Sequence, residues 1–110
     1  MPSRQRFVEL TTTTASRAGA KRLAWQIVHR RLAACVQYAP IHSVYRWKGS
    51  VESTGEFLLI AKTRASLAGA LARFIEEVHP YEVPQVVVTP IAGGAKPYLS
   101  WIREETEGGA

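Results

Sequence analysis

The chain has 110 residues, enough for one domain, and its 46% hydrophobic and 21% charged residues form an ordinary globular balance. Fourteen Lys and Arg face nine acidic residues, all of them Glu, for a formal charge of +5, but the cations are scattered. The densest pair, Arg30-Arg31, ends a predicted helix, where cations suit the dipole, so no nucleic-acid partner is expected.

The opening MPSRQR lacks the apolar centre of a signal peptide, and no apolar run approaches the roughly 20 residues of a membrane span. Cys35 is the only cysteine and has no partner for an internal disulfide. These features lead to the expectation of a cytoplasmic protein without a membrane partner.

Phe7 to Thr12 mixes apolar and β-branched residues and predicts a short strand. Ser16 is a suitable N-cap for a helix running to about Leu32. In that helix Ala20, Leu23, Ala24, Ile27 and Val28 share one face, while Trp25 points away from it. Cys35 to Trp47 predicts a long extended segment in which Pro40 requires a bulge or a sheet edge, with His42 placed at the bulge. Turn chemistry surrounds Gly49, and Glu56 to Thr63 predicts a second strand buried on both faces.

Ser66 is a suitable cap for the next helix, whose Leu67, Ala70, Leu71, Phe74, Ile75 and Val78 recur at helical spacing until Pro80 stops it. Gln85 to Ile91 predicts a buried strand, and Gly93-Gly94 a turn rather than a phosphate loop. Lys96 to Thr106 predicts a short helix with Pro97 in its first turn.

The order β-α-β-β-α-β plus a helical tail is that of the ferredoxin-like split βαβ arrangement, an α+β fold, in a single domain over residues 1–110 with its core in about 6–103. Two helices cover one face of such a sheet. The strands from Phe57 and Val86 are apolar on both faces, so a second subunit is expected to cover the other.

Five stretches carry a resemblance: RLAACV (Arg31 to Val36), YRWKGSVE (Tyr45 to Glu52), Lys62-Thr63, HPYEVP (His79 to Pro84) and GGAKPYLSWI (Gly93 to Ile102). In this order and register the chain resembles the CutA divalent-cation tolerance family over about residues 6–103. The resemblance implies a cytoplasmic homotrimer, similar in architecture to the PII signalling proteins, with no catalytic activity. It implies a link to divalent cations, Cu(II) or another, and no organic cofactor.

Among candidate ligands, His79 is read in two ways. It is either a metal ligand in a cleft between subunits or a cap for the carbonyls that end the second helix. A copper-binding member of the family pairs the matching histidine with a cysteine at the end of the first strand. Here that stretch reads LTTTT (Leu10 to Thr14), Val78 replaces a second histidine, and Gln85 stands where the family usually has Glu.

The resemblance places Tyr81, Glu82 and Gln85 in the inter-subunit cleft, with no nucleophile, base and orienter among them. Cys35 is read as a small buried hydrophobe and His29 as solvated, and neither His29 nor His42 has a second ligand at zinc spacing. Tyr45 and Trp47 alternate on one strand face, and Tyr98 and Trp101 are three apart on the tail helix. All four are expected at the trimer interface. An alternative function, a PII-like sensor of a small anionic metabolite in the cleft, takes its charge from Lys62, Arg46 and Lys96.

Overall fold

The computed structural model describes residues 6–109. Strand β1 (Phe7–Thr14) leads to helix α1 (Arg17–His29), then to β2 (Cys35–Trp47) and β3 (Ser50–Arg64). Helix α2 (Ala68–Val78), β4 (Val87–Ile91) and α3 (Lys96–Glu105) complete the chain. The sheet order is β2-β3-β1-β4 with every pair antiparallel, which is the ferredoxin-like arrangement.

Local chemistry sets the element ends. Ser16 is the N-cap of α1, its Oγ accepting the Gly19 N–H at 3.0 Å. The helix ends in a Schellman motif: Leu32 N–H donates to the Ile27 carbonyl, Arg31 N–H to that of Val28, and Arg31 takes φ 58°.

Ser66 does not cap α2. It lies within a 3₁₀ turn over Ala65–Leu67, and Leu67 holds the N-cap position without a side-chain bond. The Ala65 N–H donates to the Arg6 carbonyl at 2.8 Å, which ties this turn to the start of β1. Val28 also departs from expectation. Lying at the margin of the α1 stripe, it is 41% exposed, whereas Ala20, Leu23, Ala24 and Ile27 are buried.

The core lies between the two main helices and one sheet face. Leu10 and Leu59 meet Leu71 and Ile75 of α2 and Ile27 of α1, all essentially inaccessible. Alternation puts Leu10 and Ala61, which are register partners, on this face. Helix α3 docks separately. Arg64 donates to the Thr106 hydroxyl at 2.9 Å and to the Thr106 carbonyl at 2.7 Å, while the buried Thr106 hydroxyl donates to the Ile102 carbonyl.

The hairpin is longer than the sequence suggests. Strand β3 starts at Ser50 rather than Glu56, because only Lys48 and Gly49 form the turn. Both have positive φ, 49° and 86°, the mirror-image turn that suits strand twist. Pairing runs unbroken from Cys35–Lys62 to Trp47–Ser50, so neither Pro40 nor His42 sits at a bulge. Strand β2 is instead an edge, where the missing N–H of Pro40 costs no ladder bond.

Strand β1 accompanies β3 only as far as Phe57. Beyond that point β2 and β3 continue as a two-stranded ribbon with no third strand among the described residues, which measure 51 × 25 × 22 Å. The last strand is also barer than expected: Val87 and Val88 of edge strand β4 are 50% and 42% exposed in this single chain.

Two substitutions test this packing. Leu71→Ala leaves a hole at the centre of the core and is expected to cost about 2–5 kcal/mol in urea unfolding. Thr106→Val strips Arg64 of an acceptor and is expected to cost about 1–3 kcal/mol, with the far-ultraviolet helix signal reduced before the main transition.

Candidate functional site

The HPYEVP loop begins where α2 must end. Pro80 disfavours helical geometry for the residue before it, and His79 is extended at φ −77° and ψ 132°. The His79 backbone N–H still closes the helix on the Ile75 carbonyl at 2.9 Å. Its ring turns away from the last carbonyls of α2. The Tyr81 backbone N–H, which can only donate, points at Nδ1 from 3.1 Å, so Nδ1 accepts. The proton therefore sits on Nε2, which donates to the Thr13 carbonyl at 2.6 Å. The imidazole thus ties the loop to the end of β1, and the Tyr81 ring packs on it with centroids 4.6 Å apart.

Tyr81 then reaches the hairpin. Its hydroxyl donates to Glu56 Oε1 at 3.2 Å, and the Ser43 hydroxyl donates to Glu56 Oε2 at 2.6 Å. One carboxylate on β3 therefore joins the loop to β2. Burial pushes the Tyr81 phenol above its ordinary value of 10.0, and the charge and hydrogen bond of Glu56 push the same way, with a further contribution from Tyr45.

Around this network lies an open cleft of about 950 Å³ between the ribbon and the loop. Tyr45 and Trp47 line it from β2, Glu56 from β3, and Tyr81, Glu82 and Gln85 from the loop. The structure thus brings together three of the six residues placed in the cleft from sequence. Gln85 is held to Thr11, its Nε2 donating to Oγ1 at 3.1 Å, and Glu82 pairs at the exposed rim with Lys48 at 3.7 Å.

Lys62 and Arg46 do not line the cleft. Lys62 lies 5.6 Å from the Tyr98 ring centroid, against α3, and Arg46 alternates away from its neighbours Tyr45 and Trp47. Lys96, at the first turn of α3, is also outside it.

Cys35 is half-buried at the start of β2, His29 is exposed, and His42 is exposed on the cleft wall. The four aromatics Tyr45, Trp47, Tyr98 and Trp101 are between 39% and 42% exposed, too open for a closed core. Tyr98 and Trp101 lie 5.6 Å apart. Glu56 and Ser43 are the residues that sequence reasoning missed. The one signal was a glutamate opening an otherwise apolar run.

The sheet and cleft define a small α+β protein of the ferredoxin-like class, with an open concavity beside a projecting hairpin. The sequence model for the CutA1 divalent ion tolerance protein matches residues 8–105, and the chain belongs to that family. It is 48% identical to human Protein CutA over 89 residues, covering 80% of this chain and 50% of that protein. It thus spans about half the length of the human, mouse and cattle relatives it matches.

The divalent-cation tolerance protein CutA of Thermus thermophilus is 42% identical over 95 residues, which is 86% of this chain and 92% of that one. Among solved structures, the periplasmic divalent cation tolerance protein CutA of Archaeoglobus fulgidus superposes with a TM-score of 0.89 at 33% identity. That match covers 91% of this chain and 98% of that one.

A divalent cation needs several converging donors. The residues of one chain do not fit one. Both His79 nitrogens carry hydrogen bonds, Glu82 is paired, Gln85 is engaged, and among the described residues no three His, Cys, Asp or Glu side chains gather.

The phenol offers a direct test. Because the folded state holds the Tyr81 proton more tightly, the unfolded chain loses its tyrosine proton first above pH 10. Stability should therefore fall as pH rises through the folded value. An absorbance titration at 295 nm should show one late-titrating tyrosine that Tyr81→Phe removes. Glu56→Gln should move it down, though not fully, since burial remains.

Proposed function

We propose that this chain works as a non-enzymatic homotrimer in divalent-cation tolerance. The observation that carries this reading is the unsupported ribbon. From Ile41–Glu56 to Trp47–Ser50 two strands project alone, bearing exposed Val44, Tyr45, Trp47 and Val51. An isolated two-stranded hairpin is marginal in water, so this one needs cover. A second copy of the chain supplies it, and Tyr45 and Trp47 on the ribbon with Tyr98 and Trp101 on α3 are its anchors.

Three copies close the ring and bring their loops to the joints between subunits. The tolerance role follows the family to which residues 8–105 belong. In this reading His79, with Nδ1 freed from Tyr81, would be one ligand for Cu(II) or another divalent cation, and the remaining ligands would come from other subunits. The lone, half-buried thiol of Cys35 suits the cytoplasm.

Sedimentation should give three times the 12.2 kDa chain mass. Trp47→Ala should shift that mass downward or lower the melting temperature sharply, and a trimer unchanged in both would remove Trp47 from the interface. Calorimetric titration with Cu(II) should give heat that His79→Ala abolishes. Equal heat in the two proteins would place the metal elsewhere.

A further inference from the structure

Glu56 is a carboxylate without a cation. It is half-buried in the cleft wall, takes hydrogen bonds from Ser43 and Tyr81, and among the described residues forms no ion pair. The setting is unusual for a chain of net charge +5: among the described residues the lining of the cleft contains no Lys or Arg, its acidic members are Glu56 and Glu82, and Lys48 stands only at the rim. Glu82 is exposed and paired with Lys48, so Glu56 supplies the uncompensated charge. The adjoining walls are rings, Tyr45 and Trp47 from β2 and Tyr81 from the loop.

We infer that the cleft takes a small organic cation, an ammonium or guanidinium group on an apolar body. Its charge lies against Glu56 and its body against the face of Tyr45, since the Lys48 ammonium already stands 5.5 Å from the centroid of the Trp47 ring. A weakly hydrated cation gains from one fixed carboxylate and from aromatic faces together. A hard divalent ion gains little, because it requires six or more oxygens and both Glu56 oxygens already accept hydroxyl hydrogens.

The two hydroxyls also hold the carboxylate in place before any ligand arrives, which lowers the cost of binding. The cleft of the single chain, about 950 Å³, is of the size that small-molecule sites have. The inference shares the cleft with the trimer reading but does not depend on His79 or on a metal.

The test is calorimetric titration of the full chain at low salt with n-butylammonium and tetramethylammonium chloride, with sodium and magnesium chloride as matched controls. Saturable heat is expected from the ammonium ions and not from the inorganic salts. Glu56→Gln should weaken it by about tenfold or more, whereas Arg46→Ala and Lys62→Ala should stay within about twofold. Sedimentation of each variant confirms that assembly is retained.

If Glu56→Gln fails to assemble, Glu56→Asp keeps the charge but withdraws it by one methylene, and a several-fold loss is expected. No saturable ammonium heat from an intact assembly would overturn the inference and point to a Lys or Arg of a neighbouring copy already seated on Glu56. Magnesium binding that outcompetes both ammonium ions, or undiminished affinity in the Glu56 variants, would also overturn it. Ammonium binding by a protein that sediments as a monomer would sink the trimer reading instead.

Discussion

The constraint that shapes this molecule is a mismatch of strand lengths. Strand β3 has 15 residues and β2 has 13, whereas β1 has 8 and β4 has 5. Helices α1 and α2 cover the four-stranded part on one face, and the core is dense there. Among the described residues the ribbon past Phe57 has neither a third strand nor a helix beneath it. Backbone pairing holds it straight, but burial does not hold it down. The apolar residues near its tip are therefore a cost to the isolated chain and a gain to an assembly. The cleft exists for the same reason, since the loop after α2 faces a hairpin that extends beyond the body of the fold.

Across that cleft the polar contacts work as a brace. His79 pins the loop to the end of β1, and Tyr81 carries it to Glu56, which Ser43 ties to β2. The His79 and Tyr81 links join elements distant in sequence, so the loop is fixed to both the end of β1 and the base of the ribbon. The prolines at 80 and 84 contribute by restricting the backbone on either side. His79, Tyr81 and Glu82 thus divide their work. The first two hold the structure together, and the third lies at the rim against Lys48.

Much of the fold was readable from residues 7 to 105. Helical spacing identified α1 and α2, and the apolar runs identified the central strands, because burial on one face leaves a period in the sequence. The misses share a cause. The ribbon residues Ser50 to Gly55 are polar and small, and they look like a turn because no core selects their pattern. They form a strand because a two-residue turn at Lys48-Gly49 sets their register with β2. Ser66 looked like a cap but lost that position to a 3₁₀ turn anchored on Arg6, a contact no local pattern reports. HPYEVP marked the site, but Glu56 lies 25 residues before Tyr81, and only the sheet register brings the two together.

Net charge has the same weakness as a guide. A formal +5 is compatible with the anionic-metabolite alternative, which takes its charge from Lys62, Arg46 and Lys96. All three are outside the cleft. Charges more than about 8–10 Å away are largely screened at physiological ionic strength, so a site responds to its own lining rather than to the total. Here the lining is acidic and aromatic, and Lys48, the cation at its rim, is paired with Glu82. Arginine and lysine on α1 and α3 can keep the chain soluble and positive overall without altering the sign at Glu56. A half-buried carboxylate, fixed by two hydroxyls and walled by rings, sets the chemistry of the cleft from within a few ångströms.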